Sequence, residues 1–387
     1  MTRTDNTLGI YIHVPFCASK CPYCDFYSHC DPALLPDYGN AVCEELTSLR
    51  RTAGAVGEAV ATAAKERTIA SVYFGGGTPS LLSPEQLGTI LDTVRTTCRL
   101  LPDAEITVEC NPGLSEPEAY FAAIAKAGVN RASLGMQSVI ETERRKLGRR
   151  SGKAEIARCI AAARAAGITN LSLDIMAGIP EQTEESLRRT LDFALEQNVP
   201  HLSVYLLKIE PGTVFYKKRD TLHLPDEDET AEMYLFMSRY LTAHGYRHYE
   251  ISNFCRNDRV GRHNLRYWQC KEYLGIGPGA HGFLNGVRYC QPPDLRAFLA
   301  GAPCEVTDEG GDAEERFMLA LRTDAGVDID EMKRKYGATF SPRFEKKTEA
   351  YEKQGLLTRK HNTLTLTPEG MLVSNDLIAS LLAEMKD

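Results

Sequence analysis

The chain is 387 residues long and carries 45 Lys+Arg against 52 Asp+Glu, a net charge of −7. That length exceeds one ordinary domain and leaves ample apolar content for a full core, while the mild acidity argues against a broad nucleic-acid-binding surface. A polar start from Met1 to Thr7, an apolar run broken by His13 and Pro15, and nine cysteines scattered singly read as a cytoplasmic protein in a reducing compartment, with neither signal peptide nor membrane span.

In chain order, β-rich runs at 8–14, 69–74, 105–110, 131–134, 170–175 and 201–207 alternate with helical periodicity at 36–51, 84–99, 116–127, 153–166 and 183–197. Strands alternating with helices predict a parallel sheet. Ser83-Pro84 and Ser115-Glu116-Pro117 suit helix starts, and Gly128 and Gly167 fall where helix C-cap glycines belong. Cysteines such as Cys43, Cys98 and Cys159 lie in helical patterns and read as small buried apolar residues.

The unusual residues follow the strands. Cys17, Cys21 and Cys24 come after the first and Gly75-Gly76-Gly77-Thr78-Pro79 after the second; Glu109 ends the third, Gln137 follows the fourth and Asp174 ends the fifth. C-terminal strand ends are the face on which parallel α/β folds build their sites, so one face is expected to carry the chemistry. An α/β fold with an open six-stranded partial TIM-type barrel is preferred over a doubly wound sheet, because its mouth lets polar groups from five strands converge.

Beyond residue 208, Asp226 to Glu229 reads as an acidic helix start or a solvated loop, 230–244 as an amphipathic helix, 263–268 and 275–282 as loops, and 302–312 as a linker. The last segment has helices at 314–321, 330–336 and 341–354, a strand pair at 356–359 and 363–366, and a final helix, an order that suggests a winged-helix-like module. Residues 313–387 hold 12 Lys+Arg and 13 Asp+Glu, a net of −1, so the module is expected to pack or meet a partner rather than DNA. The chain divides into 1–215, 216–305 and 306–387.

Three cysteines within eight residues form a metal-binding loop. A structural zinc site needs a fourth ligand, and Cys30 or His13 completes no standard spacing. Three thiolates, one short of saturation, better suit a [4Fe–4S] cluster with one iron left open.

The Cys-x-x-x-Cys-x-x-Cys loop followed by Gly75 to Pro79 resembles the radical S-adenosylmethionine (SAM) superfamily, and Tyr11-Ile-His-Val-Pro-Phe16 is similar to the oxygen-independent coproporphyrinogen III oxidase group and its HemW branch. The resemblance spans nearly the whole chain and implies a radical SAM barrel with a C-terminal HemN-C module. It implies that the open iron chelates SAM, whose sulfonium is cleaved by one electron from the cluster. The backbone of Gly75, Gly76 and Gly77, with the Thr78 hydroxyl, would meet the methionine amino group. Tyr11 and Tyr23 would flank the cluster and adenosyl group, and Glu109, Gln137, Arg149 and Asp174 would contact SAM.

Oxidases of this family carry a further cysteine two residues after the third ligand; here that position is Phe26. Cys24-Asp25-Phe26, His263-Asn-Leu-Arg-Tyr-Trp268 (the HNxxYW motif) and Ser203 to Phe215 resemble HemW instead. The branch implies a haem chaperone that keeps the cluster and SAM site, with His263 as candidate haem ligand, His281 as a second candidate, and Tyr267 and Trp268 as flat faces for the macrocycle. The partners implied are haem and haem-acceptor proteins, with no nucleic acid, no membrane span, peripheral contact with membrane-bound acceptors, and a monomer or homodimer. The alternatives are a porphyrinogen oxidase or another radical SAM enzyme and, furthest from the residues, a zinc-stabilised DNA-binding module.

Overall fold

The computed structural model describes residues 6–48 and 55–386. Six strands, β1 (Thr7–Val14), β2 (Thr68–Gly76), β3 (Arg99–Cys110), β4 (Arg131–Gln137), β5 (Asn170–Ala177) and β6 (His201–Leu206), lie side by side in chain order. All five pairings are parallel. The expected six-stranded α/β core is therefore present, and its crossovers include helices Leu35–Ser48, Pro84–Thr97, Pro117–Lys126, Lys153–Ala165 and Glu184–Glu196. Ser83 and Gln86 close a capping box, with Pro84 in the first turn, which fixes where that helix begins.

Two helices between the core strands were not foreseen. Ala55–Glu66 is built largely from small residues, and Glu141–Lys146 runs into the basic stretch 144–150, which reads as solvated charge.

Alternation along the strands explains how the fold makes a site. Ile10 and Ile12, Val72 and Phe74, Ile106 and Val108, Ala132 and Leu134, Leu171 and Leu173, and Leu202 and Val204 are buried in the main apolar core. The intervening positions are mostly polar: Ser71, Glu105, Thr107, Arg131, Ser133, Ser172, His201 and Ser203 are buried too, and many bond one another across the inner face. A period of two with both faces buried gives a greasy outer layer and a polar interior, the reverse of a parallel barrel filled with branched apolar side chains.

The sheet extends at both edges. β8 (Asn253–Cys255) adds antiparallel to β6, and β7 (Arg247–Glu250) adds antiparallel to β8. β9 (Tyr273–Ile276) adds parallel to β1, followed antiparallel by β10 (His281–Leu284), β11 (Val287–Cys290) and β12 (Glu305–Glu309), giving twelve strands. Two expectations are corrected here. The glycine-rich 275–282 stretch is a strand, a tight turn and a second strand, with the Gly275 N–H donating to Tyr289 Oη at 3.2 Å, and the supposed linker 302–312 contains an edge strand. β12 is exposed along its length and charged, as edge strands tend to be, which hides it among loop-like residues. The helix expected at 230–244 is Glu227–Ala243, capped by Asp226 and Glu229.

From residue 313 the chain forms helices Ala313–Ala320, Ile329–Tyr336 and Pro342–Lys353. A small sheet orders β13 (Val327–Asp328), β16 (Thr363–Leu366) and β15 (Leu357–Lys360), and β14 (Thr339–Phe340) pairs with β17 (Met385–Lys386). The Arg322 guanidinium lies 6.0 Å from the Trp268 ring, and the Ile251 N–H donates to Arg322 O, so the module packs beneath the barrel. Among the described residues no helix is long and apolar enough to cross a membrane.

Candidate functional site

Cys17, Cys21 and Cys24 are free thiols, all partly buried, on the loop that leaves β1. Its base is pinned: the Cys17 N–H donates to His29 O at 2.9 Å and the His29 N–H to Pro15 O at 2.7 Å. Burial raises the Cys24 thiol above its ordinary range, with the neighbouring Cys21 and Cys17 adding to the effect. Among the described residues no three His, Cys, Asp or Glu side chains converge on a single ion-sized point. Three soft donors on one pinned loop, without a fourth, fit a cluster held at three corners.

The glycine turn after β2 presses against this loop. A Cβ on Gly77 would stand 2.5 Å from Phe16 O and 3.0 Å from Cys17 Sγ, and Thr78 Oγ1 reaches Cys17 Sγ at 3.7 Å. On Gly75 a Cβ would meet the Tyr11 and Tyr73 rings at 2.9 Å and Glu109 Oε1 at 3.2 Å. Gly76 has φ +113°, and a Cβ there would lie 2.8 Å from the His13 imidazole. Gly76→Ala is accordingly strained twice over, by its backbone and by its neighbour. SAM affinity measured by equilibrium dialysis is expected to fall at least about tenfold in this variant, with the cluster retained.

Two groups of the expected side chains assemble. In one, Arg149 Nη2 donates to Tyr23 Oη at 3.0 Å, tying the cysteine loop to the barrel, while Gln137 and Arg149 both lie over Gly135, whose register partner is Asp174. Gln137 holds a left-handed φ of 64°, uncommon for a residue with a side chain and typical of sites that the surrounding fold over-determines. Arg149 Nε is buried with no hydrogen-bond partner, leaving a donor free for an anion such as the carboxylate of an amino acid. In the other group, Tyr73 Oη donates to Glu109 Oε1 at 2.8 Å, and Tyr11 stacks on Tyr73 with ring centroids 6.1 Å apart.

The two groups share charge. Burial raises the Glu109 carboxyl to about 7, opposed by the Tyr73 hydroxyl and reinforced by Asp174. Asp174 is raised as well, chiefly by burial, although it accepts from Ser133 Oγ at 2.9 Å.

Below the glycine turn lies a chamber of about 360 Å³ lined by Tyr11, Tyr73, Glu109, Tyr205, Glu250 and Trp268, among others. Its floor is the HNxxYW segment, which forms a helix, Arg262–Trp268, and not the expected loop. The Arg262 and His263 N–H groups donate to the two Glu105 carboxylate oxygens at 3.1 and 2.9 Å, and Arg266 Nη2 donates to Thr7 O at 2.7 Å. The motif thus plugs the N-terminal end of the barrel, opposite the cysteine loop.

That placement buries His263. The residue is 1% exposed, its Nδ1 is bonded to Ser71 Oγ at 2.9 Å and its Nε2 to Tyr267 Oη at 2.8 Å. Burial, helped by Arg266 and Arg131, drives the imidazole down to about 3. With both nitrogens engaged and Tyr73 stacked at 5.2 Å, it is built as a neutral polar brace rather than presented as an iron ligand. His281 is exposed at the start of β10, away from this floor.

Tyr73, Ser133, Arg131 and Glu250 escaped the sequence reading. For the first three the signal was present, since Ser71-Val-Tyr and Arg131-Ala-Ser alternate polar with apolar inside strands whose neighbours are all apolar.

Residues 11–194 match the family model for the radical SAM superfamily and residues 312–373 that for the HemN C-terminal domain. Similar curated proteins include the heme chaperone HemW of Bacillus subtilis, 34% identical over 97% of this chain and 99% of that protein, and its counterpart in Escherichia coli, 36% identical over 97% and 98%. HemW of Mycobacterium tuberculosis is 37% identical over 97% and 94%. Among solved structures, coproporphyrinogen III oxidase (HemN) from E. coli aligns with a TM-score of 0.80 at 21% identity, covering 97% of this chain and 90% of that one, a likeness of fold.

Proposed function

Because the chain belongs to the HemW family within the radical SAM superfamily, we propose that it is a haem chaperone, which takes up haem and passes it to acceptor proteins. It carries a [4Fe–4S] cluster on Cys17, Cys21 and Cys24, and SAM between the Gly75–Thr78 turn and the Tyr23, Gln137, Arg149 and Asp174 group. When bound, the cluster and SAM supply one-electron chemistry at a sulfonium. The protein's own part is positional: Arg149 takes the carboxylate, the glycine turn brings backbone within reach of the amino group, and Tyr11 and Glu109 close the inner side. The working compartment is the cytoplasm, and the acceptors are other haem-using proteins, including membrane-bound ones met from the surface.

One observation carries this reading: likeness to haem chaperones runs over 97% of the chain, with Phe26, 61% exposed, where an oxidase has cysteine. The test is anaerobic reconstitution with haem and SAM, followed by parallel assays. Haem is expected to move to an apo-acceptor without turnover of coproporphyrinogen III. Robust porphyrinogen decarboxylation with no haem transfer would replace the proposal with the oxidase.

A further inference from the structure

A haem chaperone must hold a flat apolar macrocycle bearing two carboxylates on a surface from which it can leave. Resting on the reading above, we propose that haem docks on the rim made by Phe26 of the cysteine loop and the strap of residues 205–224, with its propionates on Lys217, Lys218 and Arg219 and its iron on His223.

Large exposed apolar side chains are concentrated there. Among the described residues they are Phe26, Val214, Tyr216 and Leu224, with Val306 and Val373 elsewhere and Tyr205 facing the inner chamber. Soluble proteins seldom gather such side chains in one region unless something docks on them. The strap is held against the cysteine loop: the Phe215 N–H donates to Pro22 O at 2.9 Å, and the Phe215 ring sits 6.3 Å from Tyr23, in an apolar cluster with Leu147, Met176 and Ile179. Thr213 fixes the turn, accepting from the Tyr216 N–H at 3.1 Å. With Phe215 locked inward, its neighbours Val214, 47% exposed, and Tyr216, 37% exposed, are held outward. They are displayed by construction.

The charge is complementary. Residues 214–223 carry three cations against the single anion Asp220, a local net of +2 in a chain of net −7. Lys217, Lys218 and Arg219 are exposed, and the Arg219 guanidinium lies 4.6 Å from the Tyr216 ring centroid, so a cation and an aromatic face share one side. His223 is exposed at the end of the strap, and its carbonyl accepts from the Glu181 N–H at 2.7 Å, which fixes that end. An accessible imidazole suits haem iron, as buried His263 does not. Because the Phe215 N–H is bonded to Pro22 O, a macrocycle on this rim lies beside the cysteine loop.

The test is titration of the full-length, cluster-loaded chain with haemin, followed in the Soret band. K217E/K218E/R219E is expected to raise the Kd at least about tenfold, because reversing exposed charges turns attraction for a dianion into repulsion. F26S/V214S weakens binding at any salt, whereas K217Q/K218Q/R219Q mainly removes its salt dependence. H223A shifts the Soret maximum and removes the imidazole-ligated spectrum. All are surface changes, and unchanged melting temperatures confirm intact folds. Wild-type affinity and spectrum in the charge-reversal and H223A variants would overturn the docking site while leaving the chaperone reading standing. Failure of the wild-type chain to take up haem would overturn both.

Discussion

Serine at Cys17, Cys21 or Cys24 is expected to bring iron and acid-labile sulfide in anaerobically reconstituted protein down to background, while serine at Cys30 leaves both unchanged. The asymmetry follows from the loop. In the proposed site each of the three thiols supplies one corner of the cluster, and an alcohol at ordinary pH does not replace a thiolate. Cys30 is exposed and lies beyond the His29 pairing that closes the loop base, so it is not directed at the same point. The loss is not an unfolding. The base is held by backbone hydrogen bonds between Cys17 and His29, and the tip by the Phe215 N–H on Pro22 O, none of which involves a thiol. Circular dichroism of the variants should therefore overlay that of the unreconstituted wild type. Full iron and sulfide occupancy in the Cys24→Ser protein would reject the three-thiolate assignment.

Legibility varied with what set each element's shape. The six core strands stood out because β-branched runs recur between helices with clear starts, and the site residues at their C-terminal ends were readable because topology alone sends them to one face. Gln137, Arg149, Asp174 and Tyr23 do come together; the path by which they do so, over the bare backbone of Gly135, was not readable, because a glycine's meaning depends on what approaches it. The burial of His263 was not readable for a related reason. In isolation a histidine beside Tyr267 and Trp268 looks like a ligand with aromatic walls; the decisive partners, Ser71, Glu105 and Arg131, lie on β2, β3 and β4, far away in sequence. The i, i+4 spacing of His263 and Tyr267 was a helix signal, but seven residues are too few for periodicity to decide. β9 to β12 were missed because four- and five-residue strands broken by glycine carry almost no pattern of their own.

Replacing His263 is expected to strike the fold before it touches any ligand. His263→Ala removes the partner of both the Ser71 and Tyr267 hydroxyls and leaves a void under Tyr73, which together cost roughly 3–5 kcal/mol in denaturant unfolding. The pH dependence separates this brace from a ligand. In the fold the imidazole is depressed to about 3, against an ordinary value near 6.5, so the unfolded chain binds a proton that the folded chain refuses. Its contribution is present above pH 6.5 and is lost as pH falls towards 3, at roughly 1.4 kcal/mol per pH unit. Buried His248, lowered to about 4, acts in the same direction. Glu109 and Glu250, both raised to about 7 by burial, act oppositely, since their neutral forms favour the fold as pH drops below 7. Only a difference measurement isolates the one residue. His263→Gln keeps a neutral polar side chain that does not titrate, so wild type minus variant should lose about 1.4 kcal/mol per unit between pH 6 and pH 4. A flat difference over that window would mean that His263 is accessible and titrates normally, and would return it to the list of haem ligands.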